Sequence, residues 1–153
     1  MCEPIFAGTH CKPNETVYFS CTLKKSLKIV SLCGSVSLNL NEKEDARWLQ
    51  YRFGKSGKLE FTFPLSKRNS LRKFDGDWHY HKAIGSSDAY VNFNNLNTTY
   101  TVLHYEMDDG KNSEEFSGIK IRQGNLKEVS LACNDVPTDN LREATGMLEP
   151  VSQ

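Results

Sequence analysis

The sequence predicts an all-β fold: an antiparallel meander of eight or nine strands, closed into a barrel or folded into a sandwich, with a short helix near the C-terminus. Three observations carry that expectation. Runs rich in Val, Ile, Phe, Tyr and Thr recur between clusters of Gly, Asn, Asp, Ser and Pro, the pattern of strands separated by turns. In Lys58–Phe63, Leu59, Phe61 and Phe63 alternate with Glu60 and Thr62, the period of a half-buried strand. The connections are mostly short enough for hairpins, which favours neighbouring strands pairing in chain order.

Taken in order, residues 17–23 (VYFSCTL) and 27–33 (LKIVSLC) flank Lys24, Lys25 and Ser26 as a tight hairpin. The polar stretch 39–47 has room for one turn of helix. Residues 48–53 and Lys58–Phe63 flank Gly54, Lys55, Ser56 and Gly57 as a second hairpin, and Pro64 ends its second strand. Residues 66–73 read as a basic loop. Residues 77–83, 88–93 and 99–106 are the next strands, the last two joined by the asparagine-rich turn 94–98. An acidic loop opens at Asp108, Asp109 and Gly110. Residues 118–122 and 127–133 flank Gly124-Asn125, a dipeptide suited to a two-residue hairpin turn. Beyond Pro137, Asn140 with Glu143 starts a short helix that Gly146 stops.

The 153 residues suit one domain. It spans residues 1–153, with 1–14 an N-terminal segment and 136–153 a tail carrying the helix. A chain of this length buries roughly two thirds of its unfolded surface. No apolar run approaches the roughly 18–20 residues that cross a bilayer, so a soluble mature chain is expected. Lys plus Arg equals Asp plus Glu at 19 each. That balance argues against nucleic-acid binding, which rests on an excess of basic charge. Locally the charge is uneven: Lys67, Arg68, Arg72 and Lys73 make a basic loop, and Asp108, Asp109, Glu114 and Glu115 an acidic one. Such a distribution is either a solvated surface or a bipolar one that steers a charged protein partner.

Five cysteines stand at positions 2, 11, 21, 33 and 133, and none forms a C-x-x-C, so zinc-ribbon and thioredoxin motifs are absent. Four cysteines tying the two ends of a domain together suit an oxidising compartment. If Lys25 centres the first turn, Cys21 lies opposite Ile29 and Cys33 is four residues further, roughly 13 Å away. That exceeds the roughly 7 Å Cα limit for a disulfide. Excluding Cys21–Cys33 leaves two of the three pairings. Closure of the meander, which places the first strand beside the last, favours Cys21–Cys133 with Cys11 folding back to Cys33. Cys2 is left over as a lipidation candidate, giving a possible membrane tether, if a secretion signal preceded it and Met1 is not native. The alternative is a cytoplasmic protein with free thiols.

Residues 15–21 (ETVYFSC), 30–35 (VSLCGS), 49–54 (LQYRFG), 57–64 (GKLEFTFP), 100–105 (YTVLHY), 118–121 (GIKI) and 131–133 (LAC) resemble a group of small bacterial proteins that usually carry secretion signals. The resemblance covers residues 11–133. It implies the fold and an extracytoplasmic compartment, at the periplasm or outer-membrane surface, and lends no catalytic residues and no cofactor.

The chain holds no G-x-S-x-G elbow, no phosphate-cradling glycine loop and no helical metal motif, so a non-enzymatic protein is expected. The best candidate for chemistry is Asp77-Trp78-His79-Tyr80-His81. On a strand, His79 and His81 share one face and Trp78 and Tyr80 the other. With His104 from another strand, the histidines give one way to build a zinc or copper site; the alternative is surface histidines beside aromatic packing. Asn14 and Asn97 begin glycosylation-type triplets at chance frequency. If Tyr51 and Phe53 point inward, Trp48 and Arg52 point outward, as an interface pair or a plain cation–π pair. Trp48, Arg52, Arg68, Arg72, Asp108 and Asp109 are the interface candidates. The functional expectation is a binding protein with a protein partner, of the immunity or hydrolase-inhibitor kind.

Overall fold

A computed structural model describes residues 8–41 and 43–148. Cys2, the lipidation candidate, lies outside them. Two five-stranded antiparallel sheets pack face to face as a sandwich, not a closed barrel. The first sheet holds β1 (Thr16–Thr22), β2 (Ile29–Gly34), β3 (Leu49–Lys55) and β4 (Lys58–Phe63) in chain order. The second holds β5 (Phe74–His81), β6 (Ser86–Asn95), β7 (Thr98–Asp108), β8 (Ser113–Gln123) and β9 (Val129–Ala132), also in chain order. The chain then returns to the first sheet, where β10 (Thr138–Asp139) pairs with Phe19 and Ser20 of β1. Helix α1 (Leu141–Thr145) follows. The fold is two meanders, and β10 is the strand the sequence did not show: two residues cannot display a period.

The core forms where the inner faces meet. Phe19, Leu32 and Tyr51 of the first sheet and Val91, Phe93, Val102 and Ile119 of the second are essentially inaccessible. An aromatic cluster joins the sheets: Phe93 lies 4.5 Å from Phe63, 4.8 Å from Tyr100 and 4.9 Å from Tyr51 between ring centroids. Offset and edge-on contacts of this kind add stabilisation beyond area burial. Leu141 and Ala144 of α1 are fully buried, so the short helix is held by packing rather than by its own propensity.

Two disulfides tie the ends in, Cys11–Cys33 and Cys21–Cys133. The second clamps β1 where Leu23 and Cys133 form a bridge between the sheets' margins. The true register sets Cys21 opposite Val30 and Cys33 opposite Val17. The slip from the expected Ile29 arises because the β1–β2 loop has four residues, 24–27, and not three centred on Lys25: the Leu23 amide bonds to Lys28 O, and Lys25 and Leu27 are both at positive φ.

Several expected boundaries move. The β8–β9 connection is five residues (124–128), not two, because β8 runs on to Gln123 and β9 starts only at Val129. Gly124 (φ +55) is held there by a hydrogen bond to Asn97 O. The basic loop contains a 3₁₀ turn at Ser70–Lys73, which delivers Ser70 Oγ to the Leu49 amide. Most of the acidic loop is strand: β7 extends to Asp108 and β8 begins at Ser113, so only residues 109–112 form the turn.

Candidate functional site

The strands of the second sheet are the longer ones. β7 and β8 run 11 residues each, against 6 or 7 in β1–β4. One end of the second sheet therefore outreaches its cover, and the inner face changes character along the strands. Val91, Val102 and Ile119 make a buried apolar row. Two residues on, the register aligns Trp78, Ala89, His104 and Ser117 across β5 to β8. The next inner row is Tyr80, Ser87, Glu106 and Glu115. Burial falls along that path: Ala89 is enclosed, Trp78 is 41% exposed and Tyr80 63%.

Helix α1 packs on β5 and β6 beside this opening. The result is a groove of about 470 Å³ lined by Trp78, Tyr80, Ser87, His104, Glu106, Asp139 and Arg142, among others. Arg142 lies over the Trp78 ring, 3.8 Å from its centroid, a cation–π contact that holds both in place. Asp139 Oδ1 accepts the Leu141 amide at 3.1 Å and so steers the chain into α1. His104 Nδ1 and Ser117 Oγ are 2.5 Å apart, and His104 Nε2 lies 3.3 Å from Glu106 Oε1. These two contacts hold the imidazole in the groove wall. What the groove offers is two aromatic faces, one guanidinium, two carboxylates and a held imidazole. That set stacks on planar or apolar groups and hydrogen-bonds their polar rims.

The structure separates the predicted histidines. His79 and His81 share the outer face of the second sheet, with ring centroids 6.3 Å apart. His104 is on the inner face with Trp78, so the three cannot converge on one ion. His79 instead lies between Asp88 (3.0 Å) and Asp77 (3.4 Å), and no metal-binding cluster occurs among the described residues.

Arg52 follows the cation–π alternative, 6.0 Å from the centroid of the Trp48 ring, and not the interface one. It points away from the sandwich core, as strand alternation requires, yet its side chain is only 5% exposed. Residues 8–15 run across that face of the first sheet. There Arg52 donates to Glu15 through Nη1 and Nη2, to Gln50 Oε1 through Nε at 2.9 Å and to His10 O through Nη1 at 3.0 Å. Glu15 accepts the two Arg52 Nη bonds, the Lys12 amide and Lys67 Nζ, and with Arg52 foremost these hold its carboxyl at a pKa of about 2, against the opposing effect of burial. Arg52 is thus a structural residue. Trp48 is half-buried and stacks under Lys67, 4.4 Å from the ring centroid.

Arg68 and Arg72 are exposed, at the far end of β5 from Tyr80. Asp108 and Asp109 are exposed too, but their carboxylates cap the β7–β8 turn. Asp108 accepts the Gly110 amide, and Asp109 those of Lys111 and Asn112. Sequence reasoning placed Trp78 and Tyr80 on one face of a strand but missed Arg142, Asp139 and Glu106 as their neighbours. Only the fold brings α1, 60 residues later, onto β5. No family model matches the chain, and no curated protein or solved structure is significantly similar to it.

Proposed function

We propose that this is a non-enzymatic binding protein of an extracytoplasmic compartment, and that the groove over Trp78 and Tyr80 takes a protein partner. The observation that carries the reading is the exposure of these two aromatics beside Arg142 on the overhanging end of a rigid sheet. Trp, Tyr and Arg are the residue types that dominate binding energy at protein interfaces, and the Trp78 ring is already held by Arg142. Glu106, Asp108, Glu114 and Glu115 line the adjoining depression. A basic partner surface complements that margin. Occluding such a surface on a toxin or hydrolase is the action of an immunity or inhibitor protein.

Two disulfides are compatible with an oxidising compartment. No helix among the described residues is long and apolar enough to cross a membrane. Cys2 is the point of lipid attachment in this proposal, tested by lipid labelling of the secreted chain against Cys2→Ser.

The binding claim is tested by affinity capture from the native host. A specific partner retained by the wild type and lost on Trp78→Ala with Tyr80→Ala supports it, provided that Arg68→Glu with Arg72→Glu keeps the partner. Equal retention by the aromatic double variant overturns it.

A further inference from the structure

β5 is the open edge of the second sheet, and we propose that it recruits its partner by strand addition, pairing with an extended segment that carries basic residues at alternate positions. This rests on the protein-partner reading above and names the mode of capture. β5 is eight residues long and pairs only with β6. Among the described residues, the one backbone bond it makes to another segment is Phe74 N–H to Leu71 O at its start. From Asp75 to His81 no other backbone among those residues bonds to the outward edge. The Trp78 amide is bonded to the exposed Asp77 Oδ1 at 2.8 Å, a contact that an added strand displaces, and an edge of this kind is a template for another strand.

The side chains of β5 say which strand. On the outer face stand Asp75 and Asp77, with Asp88 of β6 beside His79. On the inner face stand Trp78 and Tyr80, the groove floor. Side chains of an added strand alternate in the same way. Every second one falls beside Asp75 and Asp77, where Lys or Arg is favoured, and those between fall beside the rings. The same carboxylates disfavour one register of pairing with a second copy of this chain. An antiparallel pair of β5 edges centred on Gly76 sets Asp75 of each against Asp77 of the other, and like charges directly opposite are destabilising. The other edges lack this single-sign pattern: β4 carries Lys58 with Glu60, and Glu60 already pairs with Lys28 at 3.0 Å. β9 has four residues.

The probe is a capped heptapeptide alternating threonine and lysine, titrated into isotope-labelled protein at low salt and followed by amide chemical shifts and hydrogen exchange. The control peptide has the same composition with alternate amides N-methylated on the pairing edge. Expected are shifts and added protection confined to residues 74–81 and the adjoining groove. Binding weakens at least tenfold on N-methylation, and likewise on Asp75→Lys with Asp77→Lys. Equal binding of the methylated peptide, or perturbation centred elsewhere, overturns strand addition. The groove reading then stands or falls separately on the response of the captured partner to Trp78→Ala and Tyr80→Ala.

Discussion

Glu15 and Arg52 show what a single residue contributes when its surroundings are not local. Alternation along β3 made the direction of Arg52 legible, because Tyr51 points into the core and its neighbours must point away. Its burial was not legible, because the cover comes from residues 8–15, a segment with no period to read. The pair stabilises through Glu15. Its carboxyl falls from 4.5 to about 2 on folding, so its contribution is fully present above pH 4.5 and is lost as pH drops from there towards 2. At about 1.4 kcal/mol per pKa unit, the loss is about 3 kcal/mol, and Glu15→Gln should flatten acid unfolding followed by circular dichroism across that window. Arg52→Ala removes the two-pronged partner of a buried carboxylate and leaves it only Lys67, at 3.2 Å, and a cost of about 3 kcal/mol in urea unfolding is expected. Trp78→Ala, at an exposed ring, should change stability by less than about 1 kcal/mol while removing binding.

Elements came through the sequence in proportion to their length. The bounds of Lys58–Phe63 were legible from the alternation of Leu59, Phe61 and Phe63, though the register shifts beside Glu60 and Leu59 is exposed. His79 and His81 fell together on one face, as two-residue spacing demands. The ends of β7 and β8 were not legible, since Asp108, Glu114 and Glu115 look like loop residues. They are strand because the hairpin turn, capped by Asp109, lies beyond them. That extension creates the overhang, and with it the groove. Helix α1 was legible from Asn140, Glu143 and Gly146, though Gly146 stays in the right-handed helical region rather than providing a left-handed cap. Its anchoring is tertiary: Leu141→Ala should cost about 2–5 kcal/mol and loosen Arg142 over Trp78, visible as a change in tryptophan emission before global unfolding. At the turn below the groove, Gly85 has φ +59, and a Cβ would stand 2.1 Å from Asp108 O. Gly85→Ala should therefore distort the β5–β6 connection and weaken partner binding as well as the fold.

For the whole molecule, β1–β9 and their order were legible, but β10 and the choice between barrel and sandwich were not. That choice turns on the β4–β5 connection, where the chain leaves one sheet and founds another, and residues 64–73 carry no pattern that distinguishes a crossing from a hairpin. The Cys21–Cys133 link spans 112 residues and Cys11–Cys33 spans 22. Loop-closure entropy ranks the first above the second, about 4–5 against about 3 kcal/mol. Paired serine replacements should follow that order in denaturant midpoint, with equal losses contradicting it. The long link joins the two sheets near Ser117, so it also holds the groove wall against the rest of the sandwich. The central claim is that this wall, with Trp78 and Tyr80, is where a partner protein docks. A photo-reactive amino acid placed at Tyr80, and in a separate variant at Leu126 on the β8–β9 connection at the opposite end of the same sheet, tests it in the native host. The account predicts a discrete cross-linked protein from position 80 and none from position 126; no adduct at 80, or the same adducts from both positions, contradicts it.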